Sequence, residues 1–140
     1  MEPNDIILLA ELVELDSLSP VVVSGEIGDN PDVEDNDDVD LYQVDLIAGD
    51  IINADIDAQT IDSSLNSVLR IFDAEGNQLL RNNNTFVDGV VSLDSFLRRT
   101  VLEDGTFYIG VSSALNLNYD PTITASGLGN SSGVYDLTLT

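Results

Sequence analysis

What most constrains the fold is a two-residue alternation of apolar and polar side chains, recurring in short blocks between turn residues. Tyr42, Val44 and Leu46 alternate with Gln43 and Asp45; Ile52, Ala54, Ile56 and Ala58 alternate with Asn53, Asp55 and Asp57. Successive side chains of a strand point to opposite faces, so this spacing builds a sheet with one face in a core and one in water. A helix would scatter the same acids around its axis.

Ala48-Gly49-Asp50 supplies a turn between those two blocks. Val21 to Ile27 is rich in β-branched residues, and residues 68–72 and 78–80 flank Asp73-Ala74-Glu75-Gly76-Asn77, a hairpin loop with glycine where a positive φ is needed. Residues 93–98 form another candidate strand. Phe107, Ile109 and Val111 alternate after a turn at Asp104-Gly105, and Tyr135, Leu137 and Leu139 alternate near the end. About seven to nine strands without strand–helix alternation predict an all-β, jelly-roll-like antiparallel β-sandwich. Residues 116–133, rich in Asn, Ser and Gly, read as a long loop. Residues 6–18 fit helix or strand. At 140 residues the chain is expected to be a single domain, with an N-terminal arm over 1–20 and the sandwich over 21–140.

Composition narrows the chemistry. The chain has 26 Asp plus Glu against 4 Arg, with no Lys and no His, for a formal net charge of -22. Such a field repels nucleic-acid phosphates and anionic membranes. Without Cys there is no disulfide or thiolate metal site, and without His there is no Ser-His-Asp or Cys-His catalysis within the chain and no usual zinc site. A metal would be held by oxygen, which points to calcium or magnesium. No apolar run approaches the ~20 residues of a membrane helix. Met1 is followed by no signal-peptide pattern, so the chain reads as an excerpt whose parent carries its export signal elsewhere. Carboxylate pairs can hydrolyse glycosides, but these acids lie in an acidic loop and on exposed strand faces, with no sign of a cleft to raise a general acid's pKa. The expectation is a protein without enzymatic activity of its own.

The densest feature is the stretch 29–40, with seven carboxylates in twelve residues between two strands. Calcium takes six to eight oxygens at ~2.3–2.6 Å, and such a loop can wrap one. A solvated acidic loop with no site is the other reading, and composition alone does not separate the two. The spacing is not that of an EF-hand, and no glycine-rich nonapeptide repeat is present.

Several short motifs stand in order along the chain: Glu2-Pro3-Asn4-Asp5, Asp37-Asp38-Val39-Asp40-Leu41-Tyr42, Ala48-Gly49-Asp50, Leu69-Arg70-Ile71-Phe72-Asp73 with Gly76-Asn77, Gly105 to Val111, and Gly133 to Leu139. Together they closely resemble the bacterial pre-peptidase C-terminal domain family over the whole chain. The resemblance implies a jelly-roll-like sandwich appended to secreted proteases, collagenases and other exoproteins. It also implies calcium held by Glu2, Asn4, Asp5, Asp37 and Asp40, linking the arm to the sandwich. Two positions depart from the family pattern: Leu41, where an aromatic is common, and Arg81-Asn82-Asn83-Asn84, where the loop is often richer in Asp. The expected function is a Ca2+-binding accessory module that stabilises or spaces a larger secreted or cell-surface bacterial protein, its partner being the rest of that polypeptide. The alternative is a module that binds an extracellular peptide, matrix protein or glycan.

Overall fold

The structure, a computed structural model, describes residues 2–140. Among these are eleven strands: β1 (Glu11–Leu12), β2 (Val21–Ile27), β3 (Val39–Leu46), β4 (Ile51–Asp57), β5 (Ser67–Phe72), β6 (Gln78–Asn82), β7 (Thr85–Val87), β8 (Val90–Ser92), β9 (Phe96–Thr100), β10 (Gly105–Ser113) and β11 (Gly133–Leu139). Single 3-10 turns occur at Ile7–Leu9, Asp35–Asp37 and Gln59–Ile61. A five-stranded sheet in the order β1-β3-β10-β5-β6 packs on a four-stranded sheet in the order β2-β11-β4-β9, and β7 pairs with β8 alone. The chain is thus an all-β sandwich. Its pairings are antiparallel except that of the two-residue β1, which runs parallel to β3.

The alternation produces this directly. In β4, Ile52, Ala54 and Ile56 are buried while Ile51 and Asp55 face water. On the neighbouring strand Leu139 lies opposite Ala54 and Leu137 opposite Ile56. From the other sheet, Tyr42, Val44, Leu69, Ile71, Ile109 and Val111 complete one continuous core. Fully burying an aliphatic or aromatic side chain of this kind contributes about 1.5–3 kcal/mol.

The five-stranded sheet departs from the expectation of one wet face. All six residues of β5 are buried, and Leu41 on the outer face of β3 is inaccessible. Val39, Leu41, Phe72 and Tyr119 form a second, smaller cluster outside the sheet, with Ile7 and Ala10 packed against it. Its cover is the N-terminal arm and the long loop. Leu41 N–H donates to Asn4 O at 3.0 Å, Ile7 N–H to Pro121 O at 2.8 Å, and Val13 N–H to Gln43 O at 2.9 Å. Under this cover the Arg70 guanidinium lies 4.5 Å from the Phe72 ring centre and 4.3 Å from that of Tyr119, and donates to Tyr119 O at 2.7 Å. Gly110 lets the Tyr119 ring descend, since a Cβ there would overlap its hydroxyl.

Residues 6–18, open between helix and strand in the sequence, contain one 3-10 turn, the short β1 and irregular chain. Their apolar side chains serve two surfaces: Ile7 joins the outer cluster, whereas Val13 and Leu15 join the main core. No single period can serve both. The strand expected over 93–98 begins later, at Phe96. Before it, Asp94 Oδ1 accepts from Ala58 N–H at 3.1 Å and Gln59 N–H at 3.0 Å, which holds that segment out of the ladder. The β7–β8 hairpin was not expected from the sequence.

Register places the start of β3, the end of β10 and the start of β5 together, since Val39 pairs with Ser112 and Ser67 with Ser113. In the other sheet the end of β2 meets the start of β11, and the end of β4 meets the start of β9. The loops 28–38, 58–66, 83–95 and 114–132 therefore gather at one end of the sandwich.

The Tyr119 hydroxyl is buried without a hydrogen-bond partner. Gly110→Ala should destabilise by about 1–3 kcal/mol through overpacking. Gly110→Ala/Tyr119→Phe should recover most of that loss, because the overlapping atom is gone. Urea unfolding of the four members of this cycle checks it; equal stability of the single and double variants would refute the packing account.

Candidate metal centre

Four carboxylates converge at the loop-bearing end. Glu2, Asp29, Asp38 and Asp40 each place an oxygen within 4.8 Å of the others. Three separate pieces of chain bring them there: the arm carries Glu2, the chain just after β2 carries Asp29, and the stretch entering β3 carries Asp38 and Asp40.

Each is held by local structure. Asp38 closes the loop on itself, accepting from Gly28 N–H at 2.7 Å and Val39 N–H at 3.0 Å. Asp40 lies on the inward face of β3, two residues before Tyr42, and so points along the core and not into water. Its Oδ2 accepts from the Tyr135 hydroxyl, which is itself 2.6 Å from the Tyr42 hydroxyl. This chain of buried oxygens ties β11 of one sheet to β3 of the other. Gly25 on β2 makes room for it, since a Cβ there would overlap the Tyr135 hydroxyl. Glu2 is delivered by the arm, whose Asn4 carbonyl is bonded to β3 at Leu41.

The electrostatics are one-sided. Burial pushes Asp38 from its ordinary 3.8 up to about 6, with the charges of Asp5 and Asp29 adding to the effect. Burial likewise raises Asp40, with Asp38 and Asp29 contributing, and raises Glu2, with Asp40 next in weight. The arginines place their hydrogen bonds on Gln78, Tyr119, Leu117, Asn118, Asn53 and Leu79, away from the cluster. Buried like charges without a counter-charge are costly, and either protons or a cation must neutralise them.

One further observation fits a cation. Asp5 is nearly fully buried, and while Asn30 Nδ2 donates to its Oδ1, its Oδ2 has no partner. Asn4, also buried, turns its side-chain oxygen toward Asp40 and Glu2, where it meets only acceptors. Rotating that amide would let its nitrogen donate to Asp40 Oδ1 at 3.0 Å and Glu2 Oε1 at 2.7 Å. In that orientation the amide bridges the two carboxylates and ties the arm to β3. A cleft of about 270 Å³ opens over the group, with Ile61 and Val134 on its rim. The donors are all oxygen, as hard divalent cations require.

Of the residues marked in the sequence, the structure brings Glu2, Asn4 and Asp40 together and sets Asp5 beside them. Asp37 is turned elsewhere: its Oδ1 accepts from Gly129 N–H at 2.9 Å and its carbonyl from Asn116 Nδ2 at 3.3 Å, so it fastens the long loop. Asp29 and Asp38 were not singled out. Both belong to the dense acidic stretch, but composition cannot say which of its seven carboxylates turn inward.

Comparison with known proteins bears on the same region. Comparison with curated proteins finds no significant match. Among solved structures the fold is similar to that of PliG from Aeromonas hydrophila, a periplasmic lysozyme inhibitor of g-type lysozyme, at 16% identity and a TM-score of 0.58 over 94% of each chain. It is similar also to the pre-peptidase C-terminal domain of collagenase from Bacillus anthracis, at 13% identity and a TM-score of 0.54 over 94% of each chain. The PliG of Salmonella Typhimurium gives 16% identity and a TM-score of 0.54, over 92% of this chain and 94% of that one. At such identities these likenesses describe the fold alone. The sequence profile of the bacterial pre-peptidase C-terminal domain, however, matches residues 38–113, more than half of the chain, running from the buried Asp38 through β3, β4 and β5 to the end of β10. This chain belongs to the bacterial pre-peptidase C-terminal domain family.

Proposed function

We propose that this domain is a calcium-binding accessory module of a larger exported bacterial protein, non-catalytic in itself. The observation that carries the reading is the convergence of Glu2, Asp29, Asp38 and Asp40 from three pieces of chain, while the arginines place their hydrogen bonds elsewhere. Glu2, Asp29, Asp38 and Asp40 would hold the ion, with Asn4 and Asp5 as further oxygens; Asp37, implied by the family resemblance, is the less favoured member. Calcium would supply the missing positive charge at a point common to the arm and the β2–β3 loop. The chain's own residues do the rest: Tyr135 and Tyr42 hold Asp40 at the mouth of the core, Asp38 keeps the loop closed, and Asn4 sets the arm on β3. Seating the arm would also set how the sandwich follows whatever precedes it. Calcium suits a crowded, irregular carboxylate set better than magnesium, which demands a smaller octahedron and dehydrates reluctantly. Membership of a family named for peptidase appendages supports an extracytoplasmic setting.

A second reading is that of a binding module for an extracellular peptide or protein. The fold likeness to a periplasmic lysozyme inhibitor and the net charge of -22, which attracts basic partners, favour it. Inhibition of a g-type lysozyme by the purified domain tests the nearest case.

Calcium titrated calorimetrically into the domain should bind with an affinity on the order of 10⁻⁴ M or tighter. Asp38→Asn and Asp40→Asn should each weaken binding at least tenfold, while Asp37→Asn should leave it within a few-fold. A loss on Asp37→Asn and Asp40→Asn but not on Asp38→Asn would favour the ligand set implied by the family over the one drawn from geometry; absence of heat with the wild type would remove the reading. At about 100 times Kd, calcium should stabilise by about 2.7 kcal/mol, seen as a melting temperature several degrees above that in chelator.

The metal-free protein should also respond to pH in a set direction. The folded pKa of Asp38 lies near 6, above its ordinary 3.8, and Glu2 and Asp40 are shifted the same way. Their contribution is therefore full below about pH 4 and is lost as pH rises through 6 and beyond. In chelator, the melting temperature should rise between pH 8 and pH 5. With saturating calcium the trend should reverse, because protons then compete with the ion. Calorimetric scans over that window check both slopes, and Asp38→Asn/Asp40→Asn should flatten them.

A further inference from the structure

The end of the sandwich that carries the acidic cluster also carries an element that neither sheet uses. Among the described residues β7 and β8 pair only with each other, through a turn at Asp88-Gly89 with both residues at positive φ, 50° and 79°. Such two-residue turns match the twist of the strands they join. Phe86 and Val91 are direct cross-strand partners and share a face; they are 77% and 50% exposed, and Val90 is 69% exposed. A lone two-stranded hairpin is marginal in water. Among the described residues it is fastened at its root, where Thr85 Oγ1 donates to Asp94 O at 3.0 Å and Leu93 N–H donates to Gln59 Oε1 at 2.8 Å. Its tip offers an aromatic–aliphatic pair to solvent, flanked by main-chain edges that no other strand occupies.

Charge indicates what can cover it. The 3-10 turn at Gln59–Ile61 that anchors the hairpin is bracketed by Asp57 and Asp62, and Asp88 stands at the tip. A second copy would bring another net charge of -22 to this surface and be repelled, whereas a basic chain would be drawn in.

We propose that the β7–β8 hairpin is a docking site for an extended, basic segment of another protein. The segment's apolar side chains lie against Phe86 and Val91, and its Lys or Arg side chains face Asp57, Asp62 and Asp88. Addition along a free hairpin edge supplies main-chain hydrogen bonds, and the two-residue period of an extended segment sorts apolar from basic side chains. The proposal rests on the binding-module reading and is independent of calcium.

The test selects a phage-displayed library of random dodecapeptides on the immobilised domain. Enriched sequences are then made as synthetic peptides and measured by fluorescence polarisation. The domain is compared with Phe86→Ser/Val91→Ser, with the rim variant Asp62→Asn/Asp88→Asn and with Glu103→Gln, an exposed carboxylate between β9 and β10 at the other end of the sandwich. Enriched peptides should alternate Lys or Arg with apolar residues and bind wild type and Glu103→Gln alike. They should lose at least tenfold in affinity on the hairpin variant, lose several-fold on the rim variant, and weaken with added sodium chloride. Retention of the calcium-induced rise in melting temperature shows that the hairpin variant is folded; should it not be, the rim variant decides. No enrichment overturns both the binding-module reading and the hairpin. Peptides that bind both variants undiminished overturn the hairpin alone. A dimer in sedimentation that Phe86→Ser dissolves assigns the surface to a second copy and overturns the proposal.

Discussion

Burial of β3 on both faces is the constraint from which the rest of the structure follows. Its inner face, Tyr42, Val44 and Leu46, belongs to the core between the sheets, while its outer face, Val39 and Leu41, would be wet in a two-layer sandwich. Something must cover that outer face. The cover is the arm and the long loop, joined by Ile7 N–H to Pro121 O and fixed to β3 through Asn4 and Gln43. Once the arm lies there for apolar reasons, Glu2, Asn4 and Asp5 are carried to the start of β3, where Asp38 and Asp40 already stand. The acidic cluster thus depends on a hydrophobic requirement several residues away from it.

The same strand explains why the cluster is electrostatically severe. Asp40 shares the inward face with Tyr42, so it is nearly fully buried, with the Tyr135 hydroxyl donating to its Oδ2. On the outward face only Asp45, beyond the reach of the arm, stays exposed to water. With Tyr135 satisfying one oxygen and acids crowding the other, the site has a deficit of positive charge that none of the described side chains relieves. Such an arrangement stores instability that a proton or a divalent cation removes, which couples the seating of the arm to the chemistry of the solution.

How far the site was legible in the sequence can be argued from adjacent residues. Asp37 and Asp38 are chemically identical, yet Asp37 ends a 3-10 turn and reaches Gly129, while Asp38 begins the extended chain and turns into the cluster. A one-residue step at the start of a strand reverses the side chain's direction, and nothing in a run of acids reveals where that step falls. Glu2, Asn4 and Asp40 were marked through family resemblance, which encodes such geometry indirectly. Asp29 has no local signature; it enters the group because Gly28 bends the chain after β2 at a φ of 115°. The β7–β8 hairpin was passed over although Asp88-Gly89 is a strong turn signal, because its strands are three residues long and too short to show a period.

The sequence by itself determined the fold class, the main core and the kind of chemistry available. Period-two alternation can bury only one face of each strand, and a chain without His, Cys or Lys can offer a metal only oxygen. Tertiary structure alone decided which strands are covered twice, which carboxylates meet, and which apolar residues remain outside. Those outcomes depend on contacts between segments far apart in the chain, such as Asn4 with Leu41, Tyr135 with Asp40 and Tyr119 over Arg70. Local pattern sets what each segment prefers, but the face a segment finally shows is chosen by the surface that arrives to cover it.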